Sequence, residues 1–235
     1  MRCTRCGHVG GGQDNFCSEC GAFLRDAYVD HKLLFALQQQ SEGNDKEARR
    51  AMERLIEDNP DHVLANHLLG SLYFHQGTLE KAIQCYRCAL KKAPHFLQCI
   101  YDLGVAWYHH GNMKEAIRAF QKCLSIDPHY NAAHYRLGIA LFHAGEIDAA
   151  LEHYEIASSL TPEYLMARYH IGIVHERKND HKSAAQAFQQ SIDEAVGEVS
   201  SLYHLAQIRR AEGNEEEARE LLERAAGFGT LDSVE

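Results

Sequence analysis

Residues Leu97 to Tyr130 read LQCIYDLGVAWYHHGNMKEAIRAFQKCLSIDPHY, and this stretch of 34 decides the fold. Ile100, Leu103, Gly104 and Trp107 follow one another at spacings close to a helical turn, and so do Ala116, Ile117, Phe120, Cys123 and Leu124. Each half is therefore a helix with one apolar face. Gly111 lies between them as a left-handed helix terminator, and Pro128 stops the second helix because proline has no N–H to donate to the ladder. The stretch is a helical hairpin.

The same pattern returns without a gap at a step of 34, with unit starts at Val29, Val63, Leu97, Asn131, Leu165 and Val199. The eighth place holds Ala36, Gly70, Gly104, Gly138, Gly172 and Ala206, and the twentieth holds Ala48, Ala82, Ala116, Ala150, Ala184 and Ala218. Small residues are expected there because the two helices cross at close approach. The turn holds Gly43, Gly77, Gly111, Gly145, Asn179 and Gly213, and Asn is the usual substitute for Gly in a left-handed conformation. Pro60, Pro94, Pro128 and Pro162 all fall at the thirty-second place. A fixed period of this length with apolar helical spacing is how a stacked solenoid of hairpins appears in sequence, so the expected fold class is all-α.

These residues resemble the tetratricopeptide repeat family over residues 29 to 232. The resemblance implies a right-handed superhelical solenoid of six tetratricopeptide hairpins, at 29–62, 63–96, 97–130, 131–164, 165–198 and 199–232. Departures sit at the ends, at Lys32, Gln39, Met52, Leu55, Arg209 and Thr230, where a solenoid has an unpaired face. The family consists of peptide and protein binders. The expected function is accordingly a scaffold or adaptor, a component of a larger assembly, that holds a partner helix or extended segment in its concave groove.

In that fold the first helices line the concave side near the second, fifth, ninth and twelfth places. The fifth place carries Tyr101, Tyr135, Tyr169 and Tyr203, the ninth Val105, Ile139 and Ile173, and the twelfth Phe74, Tyr108 and Phe142. This aromatic and apolar column is the candidate partner-binding site, since tyrosine combines contact area with a polar tip. Packing between adjacent repeats is the alternative role for the fifth-place rings. Relatives that clamp a terminal carboxylate use Lys and Asn early in the groove, and Leu33, Leu37, His67 and Ser71 stand there instead. Glu176, Arg177 and Arg210 are candidate orienting charges at one end.

Before the repeats, Cys3 and Cys6 form one two-spaced pair followed by Gly7, and Cys17 and Cys20 form a second followed by Gly21. Two such knuckles close a tetrahedron of thiolates, which predicts one structural Zn²⁺ per chain held by Cys3, Cys6, Cys17 and Cys20 in a zinc ribbon over residues 1–25. The segment resembles the short zinc-ribbon modules found at the ends of many prokaryotic proteins. A rubredoxin-like iron site and a disulfide pairing are the alternatives. About 25 residues cannot bury an adequate core, so such a module would fold only with its metal. It would cap the first hairpin or dock a partner.

The formal charge of −9 argues against a nucleic-acid binder, which needs clustered Lys and Arg. Residues 1–25 hold Arg2, Arg5 and Arg25 against Asp14 and Glu19, too little for a phosphate footprint. A zinc-ribbon nucleic-acid adaptor is the second function class. No stretch is apolar enough to insert in a membrane, and the cysteine usage fits a reducing compartment, so the expected location is cytoplasmic. His75, His109 and His143 share the thirteenth place and read as an exposed stripe. Cys85 and Cys88, in mid-helix, lack the cationic setting of a reactive pair, and Cys99 and Cys123 read as buried fillers. No phosphate loop, nucleophile elbow or paired acid and base stands out, so no catalytic activity is expected.

Overall fold

The computed structural model describes residues 2, 3, 9, 17, 31–161, 165–194 and 199–229. Among them are twelve helices: α1 (His31–Ser41), α2 (Asp45–Asp58), α3 (Val63–His75), α4 (Leu79–Lys92), α5 (Leu97–His109), α6 (Met113–Ile126), α7 (Asn131–Ala144), α8 (Ile147–Leu160), α9 (Leu165–Arg177), α10 (His181–Glu194), α11 (Val199–Ala211) and α12 (Glu215–Gly229). Consecutive helices pair as hairpins, and five of the six expected unit starts are the first residues of odd-numbered helices. α2, α4, α6 and α8 end at Asp58, Lys92, Ile126 and Leu160, each just ahead of its proline in the sequence.

The turns behave as the sequence predicts. Gly111 has φ 85°, and Asn179 is the one non-glycine residue with positive φ among the described residues, at 58°. The residue after each turn residue is Asn44, Thr78, Asn112, Glu146, Asp180 or Asn214, and the side chains of Asn112, Asp180 and Asn214 cap the helix that follows. Asn112 accepts from the Glu115 N–H at 3.3 Å, and Asp180 accepts from that of Ser183 at 3.1 Å.

The chain forms two compact units, Met1–Ala133 and His134–Glu235. In the first, α2 packs on α3 and α4 on α5, around a core that includes Met52, Leu69, Leu72, Tyr86 and Phe96. In the second, α8 packs on α9 and α10 on α11, and Phe188, Ile192, Leu202 and Leu205 share a core.

Within each interior hairpin the eighth-place glycine lies under a ring from the second helix. A Cβ added at Gly70, Gly104, Gly138 or Gly172 would sit 2.7, 2.7, 2.8 or 2.5 Å from Tyr86, Phe120, Tyr154 or Phe188. Ring contact is therefore what enforces smallness at this place, a more specific cause than the close helix crossing expected. The end hairpins vary both members together: Ala36 and Ala206 replace glycine, and Met52 and Leu222 replace the ring. The twentieth-place alanines from Ala48 to Ala218 are all 0% exposed.

Cys99 and Cys123 are fully buried, as fillers should be. Cys85 is half-buried, and burial, with Cys88 next, pushes its thiol up to about 11, which keeps it protonated at neutral pH. No helix among the described residues is long and apolar enough to cross a membrane.

Candidate partner-binding surface

The odd-numbered helices carry every side chain of the candidate groove. The ninth and twelfth places keep part of their apolar surface open: Phe74, Val105 and Tyr108 in the first unit, and Ile139, Phe142 and Ile173 in the second, are all half-buried. Their surroundings combine rings with charge. The Phe74 ring meets the edge of His109 at 5.5 Å, and the Arg177 guanidinium stands 5.7 Å over the Phe142 ring. Glu176 accepts from His204 Nδ1 at 2.9 Å, and Arg210 faces Glu215 at 3.5 Å.

The fifth place is more varied. Tyr101 is half-buried and leans on Phe120 and Tyr130, at ring separations of 5.9 and 5.4 Å. Tyr169 is half-buried between Phe188 and His204. Tyr135 is only 6% exposed, closed in by Tyr154 and His170, whereas Tyr203 is 52% exposed. Packing thus takes up the larger part of this column, and Tyr135 offers little area to a partner. Tyr135 therefore belongs to the core, and of the two roles open to the fifth-place rings it takes packing.

The cause of this burial is the sixth place of the following hairpin, which the sequence reading passed over. His170 stacks on Tyr154 at 5.2 Å and 11°, and His204 stacks on Phe188 at 5.1 Å and 18°. Burial, reinforced by His143, depresses His170 from its ordinary 6.5 to about 4. Two histidines at the same place of successive hairpins, His170 and His204, each directly after a fifth-place tyrosine, were the available signal. His134 and His153 form a second pair, with Nδ1 atoms 3.0 Å apart. His75, His109 and His143 are exposed, as the stripe reading expects.

Of the four cysteines expected to hold metal, Cys3 and Cys17 are described, and they are 2% and 0% exposed. Cys6 and Cys20 lie outside the described residues. An antiparallel bridge joins Arg2 to Val9, on either side of the first pair in the sequence. Among the described residues no group of three or more His, Cys, Asp or Glu side chains is arranged to hold a metal.

Repeated hairpins with partly open apolar first-helix faces define a helical-repeat scaffold. Tetratricopeptide repeat profiles match residues 35–95, 82–131, 108–169 and 199–227, and the chain belongs to that family. No curated protein sequence matches it. Among solved structures, the chain is similar to MamA (24% identity, 70% of this chain and 96% of that one, TM-score 0.67). It is also similar to YrrB, described as a TPR protein with an unusual peptide-binding site (22% identity, 76% and 92%, TM-score 0.62). PilF of Pseudomonas aeruginosa aligns at 15% identity over 82% and 87%, with a TM-score of 0.68. Likeness at these identities establishes the shared fold.

Proposed function

We propose that this chain is a non-catalytic scaffold whose first-helix faces take a helix or extended segment of a partner protein. The observation that carries this reading is the half-buried apolar side chains at the ninth and twelfth places of each unit, Phe74, Val105 and Tyr108 in the first and Ile139, Phe142 and Ile173 in the second. Open apolar and aromatic surface on a folded protein marks a partner site, and burial of rings supplies most of the energy at such sites. Tyr203, half exposed at the last hairpin, extends the surface, and Tyr101 and Tyr169 add partial edges. The family's general role as protein-interaction scaffolds supports the same reading, as does the peptide-binding site named for YrrB. The chain acts in the cytoplasm, without nucleic acid as its main ligand. The test is copurification from the native source, followed by affinity measurements on a Tyr108→Ala, Phe142→Ala variant; a loss of tenfold or more with helicity retained is expected, and undiminished binding would move the site elsewhere.

Cys3, Cys6, Cys17 and Cys20 would hold one structural Zn²⁺ over residues 1–25. Burial of one thiol from each pair suits that role, because thiolates bound to a metal are removed from water and need its charge to remain ionised there. When bound, the metal would cross-link the two knuckles and supply folding energy that so short a segment lacks. Metal analysis decides this: about one zinc per chain is expected after dialysis, lost in Cys17→Ser while the repeats stay helical. A full equivalent retained by that variant would refute the ligand set, and iron in place of zinc would select the rubredoxin-like alternative.

A further inference from the structure

Between α3, α4 and α5 of the first unit lies a hollow of about 120 Å³ lined by Ser71, Phe74, His75, Tyr86, Asp102 and Val105. Sites for small-molecule ligands run to about 300 Å³ or more, so this one has room for a single side chain. Two of its walls are aromatic rings, and a third group is a carboxylate. Asp102 Oδ2 meets His67 Nε2 at 2.7 Å, and Oδ1 accepts from Gln98 at 2.9 Å. An ionised carboxylate has about four acceptor sites, so these two contacts leave capacity for a further donor. Its side chain is 23% exposed, which weakens solvent screening of the charge. The charge reaches the hollow's opposite wall: the Tyr86 phenol is pushed upward first by burial and then by Asp102.

We propose that this hollow takes a lysine or arginine side chain from the partner's bound segment, with Asp102 as its counter-ion and the Phe74 and Tyr86 rings as its walls. The inference rests on the first-helix faces being the partner surface and adds the chemistry of one contact. A carboxylate beside aromatic rings suits a cation, because the formal charge attracts it and the rings give its alkyl stem apolar walls. An anion there would meet Asp102, and a purely apolar side chain would strip water from the carboxylate with no donor in return. The net charge of −9 acts in the same direction at long range, steering cationic segments toward the chain.

The probe is a random dodecapeptide library displayed on phage and selected against the full chain, followed by calorimetry on the selected peptides. Enriched peptides should share one Lys or Arg. Replacing that residue by norleucine, or Asp102 by Asn, should each weaken binding by about tenfold or more, and the two together should do little worse than either alone. The norleucine peptide needs no altered protein, so a folding defect in Asp102→Asn cannot hide the answer. Peptides that lose affinity with Tyr108→Ala but are indifferent to Asp102→Asn and norleucine would overturn the cation site and leave the surface assignment standing. No enrichment, or peptides indifferent to Tyr108→Ala, Phe142→Ala and Asp102→Asn, would overturn both.

Discussion

Phe142 and Phe188 are both members of aromatic columns with the same 34-residue period, yet one is half-buried beneath the Arg177 guanidinium and the other is 0% exposed against Gly172. Periodicity reports that a ring recurs; its partner reports which side it faces. The buried column is matched by glycine at the eighth place and gives way to Met52 and Leu222 where that glycine is alanine. The open column has no such counterpart, and charge or histidine stands beside it instead. On the proposed reading, the rings that lack a small-residue mate are the ones left for a partner.

The largest effect that separates the columns should come from stability. Phe188→Ala removes a fully buried ring and should cost about 3 to 5 kcal/mol, whereas Phe142→Ala should cost about 1 kcal/mol or less, both read from urea unfolding of the whole chain. Equal losses would erase the distinction. The fifth place offers the same contrast within one column. Tyr135→Ala should destabilise by about 3 kcal/mol, and Tyr203→Ala should stay within about 0.5 kcal/mol of the parent in thermal unfolding.

A smaller effect tests the glycine rule itself. Gly172→Ala places a methyl 2.5 Å from Phe188 and should destabilise by about 1 to 3 kcal/mol. Adding Phe188→Leu, the pairing that Ala206 and Leu222 already use, should recover part of that loss, so that the double variant is more stable than the sum of the singles implies. Strict additivity would mean the two places are not coupled.

The histidine stacks give the gentlest test. His170 titrates near 4 in the folded chain and near 6.5 unfolded, so between those values the unfolded chain binds more protons and stability falls as pH is lowered. Above about 6.5 and below about 4 this contribution is flat. His170→Phe keeps a ring on Tyr154 and removes the titration, so its unfolding midpoint should decline less than the parent's from pH 7 to 4.5. A parallel decline would assign the acid sensitivity to other groups.

Fold was legible from the sequence because it rests on local rules repeated many times: left-handed turn residues, prolines after helix ends, and apolar spacing. The depth of each ring was not, because it depends on contacts between places in different helices. Tyr135 is buried by Tyr154 and His170, residues of α8 and α9 that only the packing of those helices brings to it. The hollow beside Asp102 escaped for a similar reason, since α3, α4 and α5 each contribute to it. A single acid in a sixth-place column of Leu34, Leu68, Arg136, His170 and His204 was its only trace in the sequence.

The most direct test of the account measures two quantities on the same two variants: affinity for a copurified partner and unfolding midpoint, for Phe142→Ala and Tyr203→Ala. Each variant should bind at least tenfold more weakly with a midpoint close to the parent's, because the Phe142 ring is only half-buried and the Tyr203 ring is exposed. Undiminished affinity in both, at an unchanged midpoint, would contradict the assignment of these first-helix faces to partner recognition.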